Sequence, residues 1–398
     1  MEYSEKRLVD FTKARGTGRG NVDLPFAVLT LLLLSTGVIM VLSASFARAY
    51  YDPDKEATYY FTRQLFFALS GCGIMYMASL IPIDIFRRFS FHILALSLCL
   101  LLLVLAAGTE ANGAKRWFSI GGISFQPSEI AKIAVILFDA RMICAYKGRM
   151  HTFRYGVVPF ALVAVSVVGL LVLEPHLSAS IIILGVTAAM MFMGGTALKW
   201  FFIIGAAAVS GLSLAVFGMD YSSDRISAWL DPFADSSDTG YQIVQSLYSI
   251  GSGGLSGLGL GQSRQKNLYL PEEHNDFIFA VVCEELGFIG ACAILVLFAL
   301  LIVRGFWLAM HCRDRYSFLV CGGISALLAL QVILNVAVVT NIIPCTGISL
   351  PFFSYGGTAL WLQLAEMGII LSISRKIPEK DGSFASVKDR RREINASA

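Results

Sequence analysis

The residues best placed to do chemistry lie between Leu270 and Gly290, in the stretch LPEEHNDFIFAVVCEELGFIG. Glu272, Glu273, His274 and Asp276 stand directly against a long apolar run, which then carries Glu284 and Glu285. A charge at the bilayer centre costs about 2.5–3.5 kcal/mol on insertion scales, so acids at or inside a membrane helix need a partner or a function. Asp276 falls at the mouth of the helix that follows, where water, a lipid head group and protein can meet. A carboxylate there can serve as a general base. Equally, Asn275 or Asp276 can cap the helix, since both residue types are favoured at that position. Glu284 and Glu285 cannot be close partners of Asp276, because at about 1.5 Å per residue they lie roughly 12–14 Å further along the helix. They read as ion-pair partners inside the bundle or as the lining of a polar cavity.

A second group lies in NGAKRWFSIGGISFQPSEIAK, Asn112–Lys132. Lys115, Arg116 and Lys132 are candidates to hold an anionic group. Arg116 is the better anion ligand, because a guanidinium offers a bidentate fork. Trp117 beside it is a second contact or an interfacial aromatic anchor. Lys132 follows Glu129 by three residues on one helix face, so it either contacts the anion or pairs with Glu129.

These residues must be positioned by a membrane bundle. Of 398 residues 56% are hydrophobic and 15% charged, against about 25% charged in soluble domains. Spans need roughly 20 apolar residues, and such runs occur near 24–46, 58–80, 89–107, 128–145, 155–173, 178–194, 197–217, 276–306, 316–342 and 350–374. The expected fold is an all-α polytopic membrane protein of about ten transmembrane helices, with a large extracytoplasmic loop between helices seven and eight. The division is a tail over 1–23, a membrane domain over 24–374 and a basic tail over 375–398. About 22 of the basic residues fall on the side of both termini, which makes that side cytoplasmic. The first apolar run has no small-residue cleavage site in the usual place and reads as a retained anchor. The eight cysteines fall mostly in apolar runs and read as small buried residues rather than a disulfide framework.

With this topology, Asn112–Lys132, Glu174–Ser180, the loop Gly218–Asn275 and Pro344–Thr358 converge on the outer membrane face. The stretches KRWFSIGGISFQPSEIAK, GLSGLGLGQSRQKNLYLPEEHNDFIFAVVCEELGFIG and TGISLPFFSYGGTAL resemble the SEDS family of bacterial membrane proteins, whose members include RodA, FtsW and SpoVE. The resemblance runs from the first span to the tenth, and LPEEHNDFIFA and ISLPFFSYGGT are closer to division-type members. It implies a peptidoglycan glycosyltransferase of the plasma membrane, at the division septum if division-type. Such an enzyme polymerises lipid II beside a class B penicillin-binding protein, among divisome or elongasome membrane proteins.

The resemblance also places the catalytic aspartate at Asp276 and puts Glu272 at the family's LPE position. In that reaction a sugar 4-hydroxyl attacks an anomeric carbon and a polyprenyl diphosphate leaves. A base and positive charge are required, and Arg116, Trp117, Lys132, Lys115, Glu129 and Glu272 are the substrate-binding candidates. One departure stands out: where many members carry an acid after Glu/Gln-Pro, this chain has His176, so no role for that acid carries over and the turn reads as structural. A divalent cation beside the acids is compatible with this chemistry, but His176 and His274 have no metal-ligand spacing. The glycines of Gly251–Gln262 follow no strand, so they read as a flexible or close-packed loop rather than a nucleotide fingerprint, and no Walker pattern occurs. No feature points to nucleic acid. The rival function is a lipid II flippase, favoured by acids at depth (Asp139, Glu284, Glu285, Glu366); elongation- or sporulation-type polymerases are further alternatives.

Overall fold

A computed structural model describes residues 20–111, 114–120, 123–203, 205–206, 229–235 and 240–377. Its helices are α1 (Leu24–Tyr50), α2 (Tyr59–Leu80), α3 (Ile83–Ala107), α4 (Pro127–Tyr146), α5 (Val158–Leu173), α6 (Leu177–Gly194), α7 (Tyr241–Gly253), α8 (Ile278–Met310), α9 (Arg315–Val339) and α10 (Gly357–Ser374). Seven helical segments among the described residues are long and apolar enough to cross a membrane: α1, α3, α5 with the turn before it, α6, α8, α9 and α10. Helices also form over the second and fourth expected spans, as α2 and α4, but both are more polar. In α4 the residues from Ala131 to Leu137, together with Asp139 and Ala140, are buried, so Lys132 and Asp139 face protein rather than lipid.

Asp23 fixes one end of the bundle. Its carboxylate caps α1 by accepting from the Phe26 N–H at 3.0 Å, with Pro25 in the first turn. The same carboxylate takes a fork from Arg304 at 3.0 and 2.5 Å, and the Asp23 N–H donates to Ser374 Oγ at 3.1 Å. The start of α1, the last turns of α8 and the end of α10 therefore meet at one face.

The structure departs from the sequence reading in three places. The fold is not purely helical: Thr109–Ala111 (β1), Ala114–Ile120 (β2) and Ile123–Phe125 (β3) form an antiparallel sheet in the order β1-β2-β3. The expected tenth span begins at Gly357, not 350, because Pro351 and a left-handed Phe352 (φ 64°) interrupt it. The long loop contains α7, whose mixed polarity hides it from a search for apolar runs. The expected seventh span, 197–217, lies largely outside the described residues, as do most of both tails.

A break in α8 organises the half of the bundle remote from Asp23. Gly287 adopts φ 67° and ψ −172°, and the glycine-rich segment after α7 docks there by backbone pairing. Leu258 and Gly259 N–H groups donate to the carbonyls of Glu284 and Glu285, and Phe288 and Ile289 N–H groups donate to Gly254 and Leu255, all at 2.9–3.1 Å. The contact is too close for side chains: a Cβ on Gly257 would lie 2.2 Å from the Glu285 carbonyl. Of the two readings of this glycine run, close packing is the one realised, and the pairing satisfies groups that the broken helix leaves open.

Candidate active site at the sheet-bearing end of the bundle

A cavity of about 620 Å³ opens at the end remote from Asp23, lined from β2, α4, the α5–α6 turn, the segment before α8, the Gly347–Gly357 segment and α10. Arg116, Trp117, Glu129, Lys132, Glu272 and Asp276 all line it. Lys115 does not, and it is exposed. Of these neighbouring β2 residues, Arg116 and Trp117 are the ones that reach it.

Asp276 sits in the segment that enters α8, but it does not cap the helix. The cap position is Phe277, without a side-chain hydrogen bond, so the capping reading fails for both Asn275 and Asp276. The backbone is held instead: Asn335 Nδ2 donates to the Asp276 carbonyl at 2.8 Å and to the Ile348 carbonyl at 2.6 Å. Among the described residues no donor reaches the carboxylate. Gly347, left-handed at φ 64°, lies so close that a Cβ would come 3.0 Å from Asp276 Oδ2. The carboxylate keeps some surface, but what it sees is a confined cavity rather than open water. Burial, with the nearby Glu272 charge, raises its pKa to about 6 against the opposing pull of Arg116.

The rest of LPEEHND divides into cavity and scaffold. Glu272, left-handed at φ 55°, accepts from Asn275 Nδ2 at 2.6 Å and faces the cavity. Glu273 is buried and takes Arg48 of α1 at 3.2 Å. His274 packs between Tyr60 and Tyr355, with ring centroids 4.7 and 5.8 Å away.

The facing wall is the segment before α10. Non-helical backbone inside a membrane protein is tolerated where it is buried or lines a cavity, and here side chains satisfy it. Leu350 N–H donates to Ser354 Oγ at 2.7 Å and Phe352 N–H to Gln363 Oε1 at 2.9 Å. Ser354 Oγ donates to the Asn275 carbonyl at 2.8 Å, and Tyr355 N–H to the His274 carbonyl at 2.9 Å. Ser354 and Tyr355 thus join the two walls, while Gly357 allows close approach, a Cβ there falling 2.4 Å from the Phe67 ring.

On the cationic side Lys132 and Glu129 form an ion pair at 2.7 Å, with Lys132 almost fully buried. Arg116 donates to the Glu174 carbonyl at 3.1 Å and to the Pro175 carbonyl, which ties the sheet to the α5–α6 turn. Burial raises the Glu174 pKa to about 7, against the pull of Arg116. Several lining residues lie outside the sequence assignment. Glu366 stood out as an acid at depth, and Gln363 gave no signal. His176, read as structural, also lines the cavity. No group of three or more metal-ligating side chains gathers among the described residues.

Comparison with known proteins places this arrangement in context. The family model described as Cell cycle protein, for FtsW, RodA and SpoVE, matches residues 24–378. Stage V sporulation protein E of Bacillus subtilis is 40% identical over 363 residues, 90% of this chain and 98% of that protein. A probable peptidoglycan glycosyltransferase FtsW of Trichlorobacter lovleyi is 38% identical over 354 residues, 88% of this chain and 93% of the relative. Among solved structures, a chain from a peptidoglycan synthase complex that coordinates polymerization and crosslinking superimposes with a TM-score of 0.74 at 29% identity, covering 90% of this chain and 99% of that one. The rod shape determining protein RodA of Thermus thermophilus does so with a TM-score of 0.67 at 28% identity, covering 90% and 98%.

Proposed function

The chain belongs to the FtsW/RodA/SpoVE family of multi-pass membrane proteins, and from that membership we propose that it is a peptidoglycan glycosyltransferase polymerising lipid II at the outer face of the plasma membrane. The observation that carries the mechanism is Asp276: a carboxylate with no donor among the described residues, on the wall of a cavity that Arg116 and Lys132 also line. Asp276 takes the proton from the 4-hydroxyl of the acceptor sugar. The freed oxygen attacks the anomeric carbon of the donor from the face opposite the departing group, so configuration inverts, and the polyprenyl diphosphate leaves with the bonding electron pair. General-base help of this kind is worth about 10²–10⁴ in rate. Arg116 and Lys132 stabilise the charge that accumulates on the diphosphate. Because a diphosphate leaves readily, a second carboxylic acid of the glycosidase kind is unnecessary. Glu272 tunes Asp276 through space, and Trp117 flanks the donor.

The basic residues at the Asp23 end support a cytoplasmic position for both chain ends, with the cavity outward. A class B penicillin-binding protein is the partner this reading expects, and the division-type motifs favour a septal role. The deciding test supplies labelled lipid II to the purified protein with its transpeptidase in detergent, where transport has no meaning. Wild type should make glycan strands and Asp276→Ala should not. Strands of normal length from the variant would remove Asp276 from the mechanism.

A further inference from the structure

Arg63, Arg116 and Lys132 are the arginines and lysine that line the cavity, and the reaction above uses the last two. Arg63 stands near the start of α2, and its neighbour fixes its place. Gln64 is fully buried; its Nε2 donates to the Ser354 carbonyl at 3.3 Å and its Oε1 accepts from the Gly356 N–H at 3.4 Å. The start of α2 is thereby tied to the wall segment before α10. Arg63 donates to the Tyr59 hydroxyl at 2.6 Å, lies over that ring at 5.3 Å from its centroid, and hydrogen-bonds the Tyr355 side chain. Two neutral phenols thus orient the guanidinium.

The three cations fall into two groups. Arg116 and Glu272 are the charges that act on the Asp276 carboxylate. Lys132 is paired with Glu129, and those two act on Glu366. The lining acids are therefore gathered around Arg116 and Lys132. The groups that act on Tyr355 are Arg63, Tyr59 and Tyr60, with no carboxylate among them. Arg63 is also absent from the charges that act on Asp276. Since such effects fall with distance, Arg63 stands on the same cavity wall but apart from the base.

The reaction calls for two such places. Both substrates carry a lipid-linked diphosphate, yet the two diphosphates stand differently to the reacting atoms. The donor's is bonded to the anomeric carbon under attack, so its cations belong beside Asp276. The acceptor's lies at the other end of a disaccharide from the 4-hydroxyl that Asp276 deprotonates. Its cation must line the same cavity and lie away from Asp276. Arg63 meets both conditions, and a guanidinium fork suits phosphate oxygens.

We propose that Arg63 binds the diphosphate of the acceptor lipid II, as Arg116 and Lys132 serve that of the donor. This rests on the glycosyltransferase reading and deepens it. Transfer breaks the donor's anomeric C–O bond and forms a glycosidic bond to the acceptor's 4-oxygen, whose proton passes to Asp276. The lengthened strand therefore remains on the acceptor's diphosphate. Arg63 holds it at the end of each transfer, and a weaker hold releases it sooner.

The test separates the two substrates. The full chain, with its transpeptidase in phospholipid-free detergent, receives lipid II capped on its 4-hydroxyl, which can only donate. Uncapped lipid II, kept scarce, is then the acceptor, and the capped tetrasaccharide lipid is the product scored. Arg63→Ala should raise the acceptor KM about tenfold and leave the donor KM within about twofold. With uncapped lipid II alone it should make shorter strands. Arg63→Lys, which keeps the charge but not the fork, should recover part of the acceptor KM, and Arg63→Gln should not. An unchanged acceptor KM, a defect confined to kcat, or an equal rise in both KM values overturns the proposal. So does a defect that appears only when phosphatidylglycerol is added, which would assign Arg63 to a bilayer lipid. If a thermal melt shows Arg63→Ala to be misfolded, the contrast of Arg63→Lys with Arg63→Gln decides, and equal acceptor KM values in those two overturn it. A wild type that transfers no sugar refutes the glycosyltransferase reading and this assignment together; an active wild type with a flat Arg63 series refutes this assignment alone.

Discussion

Glu272 and Asp276 come from the same short stretch of sequence as Glu284 and Glu285, yet the two pairs have opposite surroundings. Both inner glutamates are buried and every one of their oxygens is occupied. Glu284 accepts from Ser249 Oγ at 2.9 Å, Ser263 Oγ at 2.5 Å and the Arg264 N–H at 2.9 Å. Glu285 accepts from Lys266 at 2.8 Å, Ser43 Oγ at 2.7 Å and the Ser263 N–H at 3.3 Å. Asp276 has Asn335 on its carbonyl and Gly347 against its carboxylate, with no donor for either oxygen among the described residues. A carboxylate already holding several hydrogen bonds is a poor proton acceptor, because each bond stabilises the charge that a base must give up. The occupied pair clamps the glycine-rich loop to the broken helix, and the acid that has no such partners is the proposed base.

The sharpest way to break this contrast is to remove one charge from each side. Asp276→Asn should lower kcat for lipid II polymerisation by about 10²–10⁴ while leaving the melting temperature at pH 7 unchanged or higher. Lys266→Ala should do the opposite, since it strands Glu285 without its cation. Loss of one partner of a buried pair costs about 3–5 kcal/mol, so unfolding in a thermal melt should come markedly earlier. Adding Glu285→Gln should recover much of that loss. If Lys266→Ala instead abolished turnover with an unchanged melt, the division between clamp and catalyst would be wrong.

A milder probe is pH. As the proposed base Asp276 must be ionised to act, and its pKa is raised to about 6. In the free enzyme kcat/KM should fall about tenfold per unit below that point. The stability effect has the opposite sense. A carboxyl whose folded pKa lies above the unfolded value of 3.8 favours the fold while protonated, and that advantage is lost as pH rises through about 6. Over the full range it amounts to roughly 3 kcal/mol. A melting temperature that falls between pH 4 and 7 in wild type, and falls less in Asp276→Asn, would confirm both signs.

The sequence makes some of these features legible and hides others for physical reasons. Spans read well because apolar length is a one-dimensional property, and α1, α3, α5, α6, α8 and α9 lie where the apolar runs predict. Asp276 was legible as an acid at a helix mouth; that it is uncapped and unpaired depends on Asn335 and Gly347, distant in sequence. Helix α7 escaped because its buried face is Ile243, Val244, Ser246, Ser249 and Gly253, too polar and too short to register as a span. Lys115 lies outside the cavity lining although its neighbours Arg116 and Trp117 belong to it, a difference of orientation that the order of residues does not reveal. Lys266 gave no hint of burial, since its partner Glu285 is 19 positions away and brought near by the Gly257–Gly287 contact.

Gly347 tests the open side of the contrast directly. Gly347→Ala adds a methyl group at a left-handed position and 3.0 Å from Asp276 Oδ2. Strain of this kind costs on the order of 1–3 kcal/mol, and the carboxylate must shift to relieve it. Polymerisation should drop roughly tenfold in kcat, with lipid II still bound.

The smallest expected effect belongs to Ser354, which links the two walls of the cavity without touching either acid. Its hydroxyl donates to the Asn275 carbonyl and accepts from the Leu350 N–H. Ser354→Ala removes both bonds and leaves a buried backbone donor unpaired, at a cost of about 1–3 kcal/mol. The Tyr355 N–H bond to the His274 carbonyl remains, so the walls should stay joined but looser. A catalytic base displaced by a fraction of an ångström loses rate before it loses substrate. Ser354→Ala should therefore lower kcat several-fold at nearly unchanged KM, and Ser354→Thr, which keeps the hydroxyl, should recover part of the rate. A change in KM alone would mean that this junction shapes the binding of lipid II rather than the placement of Asp276.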